Sequence, residues 1–485
     1  MKKNVIAVCS ALLMTICGSA APVLKFQDGK FRILQLTDLH LMPNNPEKCL
    51  ETEKTIRSVV ASEKPDLVML TGDVVTYDPA WTGWQQIVDL FEDLKVPFNV
   101  GMGNHDAEYL TKDEIYEFLI KSPWYVGSKN ADGITHGGGT CAIEIIGAED
   151  KPASIIYSFD SNDYQPDKLL GHYDWIHFDQ LQWYRDASRQ YTEGNNGEPL
   201  PSLTFFHIPL QEYTEVVDDP KTYGARYEGA GASSDMNSGA FLSFVEMKDI
   251  MGAFTGHDHD NDFIGINRGI ALGFGRCTGA EAYGRLPRGG RVIDLTEGKR
   301  KFDTYVVTPA GREYSYHYPS GLNGEEIATA NYLPASDVKK GQPGLRYEYM
   351  EIENGRCKKV DQMSLMKVKA SGILPNFDIT GAPAADHFGY IFEGYIDIPA
   401  KGIYQFYTYS DDGSQLFIDG NLVVDNDGGH SARRREGKIA LEAGLHPIKL
   451  YYFEDYMGQE LEVGISSLEI EEQPVPSSML FTGIE

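Results

Sequence analysis

Basic side chains are scarce: 43 Lys and Arg stand against 71 Asp and Glu, a formal charge of −28 over 485 residues. This balance argues against wrapping a nucleic acid, because affinity for the phosphate backbone depends on cationic side chains displacing counterions. A small phosphate ligand stays open, since surface charge is screened beyond about 8 Å at physiological salt and the local field of a site decides. Cysteine is also sparse. Beyond the first twenty residues the chain keeps Cys49, Cys141, Cys277 and Cys357, in no zinc-type spacing. Disulfides in an oxidising compartment and buried free thiols are equal expectations. After Ile16 no stretch approaches the roughly 18 apolar residues that cross a bilayer, so no membrane span is expected. Internal repeats and low-complexity tracts are missing too. What is left is an ordinary globular composition, 42% hydrophobic, long enough for two or three domains.

The first residues are of a different kind. Met1-Lys-Lys, an apolar run from Val5 to Ile16 and the small residues Gly18-Ser-Ala-Ala21 form the charged, apolar and cleavage regions of a secretory signal. Cleavage is expected after Ala20, with delivery to the periplasm or the extracellular space. Cys17 raises lipid anchoring, but Ile16 stands where a lipobox has a small residue, so soluble export is the expectation.

The chemistry sits at the ends of five short apolar runs. Phe31–Thr37 leads into Asp38 and His40, and Asp66–Gly72 leads into Asp73. Pro97–Gly103 leads into Asn104-His105-Asp106, Ser202–Phe206 into His207, and Asp249–Gly256 into His257 and His259. If the runs are buried strands, ligand sites form outside their carboxyl ends and all five endings converge on one crevice. Two histidines one residue apart can share one face of an extended chain and splay around metal ions. Each residue alone reads more simply as a turn residue or a hydrogen-bonded histidine; the five endings in order reverse that.

Helices are predicted from about Glu47 to Ser62, from about Trp81 to Leu94, from a Thr111/Glu114 capping box to about Ile120, and around Leu181, Tyr184 and Ala187. The βαβαβα order implies a largely parallel sheet, with two β-like runs between Gly137 and Asp160 adding a second. His172 and His177 read as loop or helix-start residues, and Tyr223 to Gly239 as a long surface loop that either borders the crevice or is mere connection. The catalytic domain is placed at 25–309, a linker at 310–343 and an all-β sandwich at 344–470, with 1–20 as the signal.

Together the endings Asp-x-His, Gly-Asp, Gly-Asn-His-Asp, a lone His and Gly-His-x-His resemble the signature of the calcineurin-like metallophosphoesterases, close to the purple acid phosphatase relatives. The resemblance implies a two-sheet metallophosphoesterase sandwich flanked by helices, and a binuclear site. Asp38, His40, Asp73 and His259 would hold one metal, and Asp73, Asn104, His207 and His257 the other. It further implies hydrolysis of a small phosphoester by a metal-activated bridging water, with His105 stabilising the transition state or protonating the leaving oxygen. Asp106 is a candidate to orient His105, or else caps the following turn. Hard carboxylates and imidazoles suit iron, zinc or manganese. Thr76 stands where purple acid phosphatases carry a tyrosine ligand, so a purple iron(III) site is not expected; Val74 replaces the arginine of the phosphoprotein phosphatases.

Farther on, Gly344-Leu-Arg-Tyr-Glu-Tyr, Phe392-Glu-Gly-Tyr, Ser410-Asp-Asp-Gly-Ser414 and Gly444-Leu-His-Pro resemble the protective-antigen-like β-sandwich module of glycan-active proteins. That resemblance implies calcium or sugar at Asp411 and Asp412, against a plain tight turn of Asp and Gly. The combined expectation is an exported phosphomonoesterase with a glycan-binding module. A phosphodiesterase is one alternative, and a carbohydrate-binding protein with a degenerate phosphoesterase domain the other.

Overall fold

A computed structural model describes residues 21–484 apart from Ala230 and Asn354. The signal-peptide reading, with Cys17, lies outside the described residues. The chain divides into two units, one ending at Asn323 and the other beginning at Gly324.

In the first unit, strand β1 (Lys30–Leu36) is followed by helix α1 (Pro46–Glu63), β2 (Leu67–Thr71), α2 (Ala80–Leu94), β3 (Phe98–Gly101) and α3 (Lys112–Leu119). Local signals place the helix ends. Pro46 stands in the first turn of α1, Lys64 closes that helix in the left-handed region just before Pro65, and the Thr111/Glu114 capping box starts α3. Next come β4 (Cys141–Ile146), β5 (Pro152–Ser158), α4 (Phe178–Gly194), β6 (Ser202–Phe205), a single turn α5 (Thr214–Val217), α6 (Ala240–Met247) and β7 (Ile250–Thr255). Six more strands finish the unit: β8 (Ile264–Asn267), β9 (Ile270–Phe274), β10 (Gly290–Thr296), β11 (Phe302–Thr308), β12 (Gly311–Tyr318) and β13 (Leu322–Asn323).

They form two sheets, β13-β12-β11-β10-β1-β2-β3 and β4-β5-β6-β7-β9-β8. β1, β2 and β3 are parallel, as are β5, β6, β7 and β9. The strands β10 to β13 extend the first sheet antiparallel. Strand alternation splits the apolar side chains between two faces. Phe31, Ile33, Leu67 and Met69 join Ile143, Ile156, Leu203, Met251 and Phe254 in a core between the sheets. Leu34, Leu36, Val68 and Leu70 face the other way, onto Ile56 and Val59 of α1 and Trp84, Ile87 and Phe91 of α2. On the outside of the second sheet, Ile155 and Tyr157 pack with Leu181 and Tyr184 of α4 and Phe241 and Phe244 of α6. The result is a helix–sheet–sheet–helix sandwich.

The stretch 310–343 is not a linker throughout. Thr308-Pro-Ala-Gly311 turns a hairpin rather than ending the domain, and β12 pairs with β11. Tyr316 and Tyr318 are buried, and Tyr318 stacks on Phe302 at 4.9 Å. The second unit is a β-sandwich of an eight-stranded and a four-stranded sheet. Phe392, Ile396, Leu416 and Leu450 meet Tyr404, Phe406, Val463 and Ile465 in its core. It extends past 344–470 at both ends, because strand Lys339–Pro343 pairs with strand Leu480–Ile484. All four described cysteines are buried and free, so the thiol expectation holds for them. No helix among the described residues is long and apolar enough to cross a membrane.

Candidate metal centre

The carboxyl ends of β1, β2 and β3 in one sheet and β6 and β7 in the other carry the five expected endings. The two sheets meet beneath them through Gln35, whose buried amide donates to Thr71 Oγ1 at 2.9 Å and to the Thr255 carbonyl at 3.0 Å. Two groups of metal-ligating atoms result, Asp38/His40/His259 and Asp73/His207/His257. His259 Nε2 lies 3.3 Å from Asp38 Oδ1, and His40 Nε2 lies 3.6 Å from Asp73 Oδ2. His207 Nε2 lies 3.3 Å from the same Asp73 Oδ2 and 3.3 Å from His257 Nδ1. Asp73 thus stands between the two groups.

The backbone is bent to make this possible. Asp38, His40, Asp73 and His257 have φ of 53°, 44°, 51° and 80°. Such left-handed residues cost roughly 1–3 kcal/mol each and persist where the surroundings over-determine them, typically at functional sites. Gly103 is required: a Cβ there would run into the Asp73 carboxylate.

The imidazoles are held from behind. His207 Nδ1 donates to the Thr71 carbonyl at 2.8 Å, and His259 Nδ1 to the Tyr283 carbonyl at 3.2 Å, so each turns a bare Nε2 toward the centre. Tyr283 stacks on His259 at 3.9 Å and Tyr173 meets His257 edge-on at 4.7 Å.

Among the buried side-chain atoms without a hydrogen-bond partner are His40 Nε2 and Asn104 Oδ1, both of the expected ligand set. An orphaned buried acceptor is costly unless a ligand completes it. The electrostatics point the same way. Burial pushes the Asp38 carboxyl up, yet His259 and His207 hold it at about 2. Burial is likewise outweighed at Asp73, lowered by His207 and His40, and at His207, raised by Asp73 to about 10. Burial, against the pull of Asp73 and Asp38, brings His40 down to about 4, and burial together with neighbouring His207 brings His257 to about 3. Two buried carboxylates demand cationic charge, and protons on histidine stand in for it. Carboxylate, imidazole and amide oxygen are donors that suit divalent metal ions.

His105 is about one-third exposed beside the centre, its ring 5.8 Å from that of His40. Its Nδ1 is bound by Glu108 at 2.7 Å, not by Asp106. The Asp106 carboxylate instead accepts three backbone N–H groups, from Val74 at 2.8 Å, Val75 at 3.0 Å and Gly103 at 2.8 Å. It ties the loop after β2 to the loop after β3. Orienting His105 is therefore not its place, because its oxygens are spent on the backbone. Asp106→Ala strands three buried donors at roughly 1–3 kcal/mol each, so a loss of about 3 kcal/mol or more is expected in chemical denaturation.

Glu108, Tyr164, Tyr173 and Tyr283 were not singled out by the sequence. Only Glu108 carried a signal, lying one helical turn's spacing after His105. His172 packs against Tyr164 at 5.2 Å, and His177 caps α4 and bonds Asp174 at 3.0 Å; neither joins the two groups. Tyr77 packs against Tyr109 at 5.8 Å. The 223–239 loop borders the centre: Ala225 N donates to Asp262, Glu228 N to Asn261, and Tyr227 N to the Asp260 carbonyl.

In the second unit Asp411, Asp412 and Glu454 form a third group of ligating oxygens. Asp412 accepts the N–H groups of His430 and Asp455, while both Glu454 oxygens are buried without a partner.

Residues 31–261 match the family model for calcineurin-like phosphoesterases, and residues 356–478 that for the PA14 domain. The chain is 31% identical to the probable inactive purple acid phosphatase 29 of Arabidopsis thaliana, over 56% of this chain and 79% of that one. It is 32% identical to the probable inactive purple acid phosphatase 28 of the same plant, over 58% and 79%. To phosphatase DCR2 of Saccharomyces cerevisiae it is 28% identical, over 49% and 45%.

Proposed function

Because the chain belongs to the calcineurin-like phosphoesterase family, with purple acid phosphatase-like relatives, and carries a PA14 domain, we propose that it is a phosphatase that hydrolyses phosphomonoesters at a pair of metal ions. The observation that carries this is the complete donor set, with Asn104 Oδ1 and His40 Nε2 buried and unpartnered. Asp38, His40, Asp73 and His259 would hold one ion, and Asp73, Asn104, His207 and His257 the other. When bound, such a pair polarises phosphoryl oxygens and lowers the pKa of an attacking water. With only two carboxylates in the set, the ion-loaded site would keep a net positive charge for a phosphate. Glu108 accepts from His105 Nδ1 and so holds the ring with Nε2 toward the leaving oxygen, to which the doubly protonated imidazolium form can give its Nε2 proton. Asp106 keeps the two ligand loops in register. The two plant relatives are named inactive; that all seven expected ligand residues are present in this chain supports an active reading here.

The test is turnover of an aryl phosphate and of its diester by the whole protein, with metal analysis before and after chelation. Monoester turnover that is lost on chelation and restored by iron, zinc or manganese supports the proposal. Preference for the diester would move the reading to a phosphodiesterase, and metal-replete protein without turnover would sink it in favour of a degenerate domain. Export through residues 1–20 belongs to the same proposal, and a mature N-terminus at Ala21 is the check.

For the PA14 unit we propose calcium-dependent glycan binding at Asp411 and Asp412, joined by Glu454. Burial, with Asp412 and Asp411 beside it, pushes the Glu454 carboxyl up to about 8. A folded pKa above the unfolded one gives stability that is full below the carboxylate's ordinary value and is lost as pH rises through about 8. Calcium should therefore raise the melting temperature more at pH 8 than at pH 5. Glu454→Gln should flatten that pH dependence. An equal melting temperature with and without calcium at both pH values counts against the cation site.

A further inference from the structure

Asn104 has a side-chain amide with two ends of nearly equal shape, an oxygen that can bind a cation and an NH2 group that cannot. Something must decide which end faces the centre. Asn104 Nδ2 donates to the Tyr164 hydroxyl at 2.9 Å, which leaves Oδ1 as the buried, unpartnered atom. The Tyr164 hydroxyl also lies 3.4 Å from His105 Nε2, and His105 Nδ1 lies 2.7 Å from Glu108 Oε1.

These contacts form a chain with one direction. A carboxylate at Glu108 only accepts, so in the neutral ring the single His105 proton sits on Nδ1 and Nε2 is an acceptor. Tyr164 then gives its hydrogen to His105, and its oxygen accepts from Asn104. Each group donates to the next, from Asn104 through Tyr164 and His105 to Glu108. The bond from Tyr164 to His105 is long, near the limit for a hydrogen bond, so it is readily given up to a substrate oxygen. The shorter bond to Asn104 is the one that fixes the ligand.

Tyr164 is placed by a small arm after β5. Asp174 N donates to the Asp163 carbonyl at 3.0 Å, and Gln165 N to the His172 carbonyl at 2.9 Å. Lys112 at the start of α3 clamps the base of the arm through Asp160 at 2.8 Å and Asp163 at 2.9 Å. Across the arm Tyr164 stacks on Tyr173 at 5.7 Å.

We propose that Tyr164 is a positioning residue of the metal centre, setting the Asn104 amide so that Oδ1, not Nδ2, faces the second ion. The proposal rests on the two-metal reading above. It is tested by titrating the whole protein with Mn2+ in a calorimeter and following the electron paramagnetic signal of a coupled manganese pair. Tyr164→Phe keeps the ring and its stacking and removes the acceptor. Second-site affinity should fall about 10–100-fold, the usual scale for an outer partner of a metal ligand, while the first site is unchanged and the coupled signal weakens.

Asn104→Asp supplies the control. A carboxylate has two equivalent oxygens and no wrong end, so Tyr164→Phe on the Asn104→Asp background should leave second-site affinity as it was. An equal loss on both backgrounds would make Tyr164 a packing residue and overturn the proposal. So would unchanged affinity on the native background. Global unfolding of Tyr164→Phe, visible in its melting curve, would show as loss at both sites and on both backgrounds, and counts as the packing result. If the unaltered protein binds fewer than two manganese ions, the two-metal reading fails first, and is told apart because no Tyr164 variant is needed to see it.

Discussion

Asp73→Asn is expected to abolish turnover and to release metal from both positions at once. Asp73 Oδ2 lies 3.6 Å from His40 Nε2 in one group and 3.3 Å from His207 Nε2 in the other, so a single carboxylate serves both. Its other oxygen accepts the His105 backbone N–H at 2.9 Å, which fixes the rotamer. An amide of the same shape keeps the packing but removes half of the carboxylate charge in the site and turns a donor toward a cation. Loss of an outer partner costs about 10–100-fold in metal affinity or activity, and a shared ligand should exceed that, to at least about 10³-fold in turnover. Inductively coupled plasma analysis should find both ions depleted. Retention of two ions with normal turnover would remove Asp73 from the centre and, with it, the bridging arrangement. Because the side chain is buried but small, circular dichroism should show the fold intact.

Much of this centre was legible in the chain because its ligands follow strands that announce themselves. Apolar runs such as Ile33–Leu36 and Met251–Phe254 supply a core between two layers, and the polar residue at each carboxyl end is left at the rim. Two sheets and their helices followed from the same patterning, with helix ends marked by Lys64-Pro65 and the Thr111/Glu114 box, while their stacking into a sandwich came from the family resemblance. What was not legible depends on contacts distant in sequence. Tyr164 reaches Asn104 across sixty residues, through an arm with no strand pattern of its own. Glu454 faces Asp411 and Asp412 only once the sandwich is closed. Asp106 looked like a partner for its neighbour His105, but its side chain points into the protein, where three N–H groups compete for it. The strand β12 was hidden by a turn of Thr, Pro, Ala and Gly, although Tyr314-Ser-Tyr316-His-Tyr318 alternates as a half-buried strand does.

His105→Ala is expected to separate chemistry from metal binding. His105 has Nδ1 bound by Glu108 and Nε2 near Tyr164, whereas His40, His207 and His259 each bring Nε2 to the Asp38 or Asp73 carboxylate. It is also about one-third exposed, where His207 and His259 are buried. Neither nitrogen is held bare behind a carbonyl bond as theirs are, so removing the ring should leave both ions in place. Turnover should fall by about 10²–10⁴-fold, the range for a lost general acid. The decisive contrast is between substrates. An aryl phosphate whose leaving group needs no proton should lose much less than an alkyl phosphate, whose alkoxide does need one. Glu108→Gln should fall between the unaltered protein and His105→Ala, since it weakens the hold on Nδ1 without removing the acid. Equal losses for both substrates would assign His105 to binding the phosphate rather than protonating the leaving oxygen, and metal loss in His105→Ala would make it part of the ligand shell.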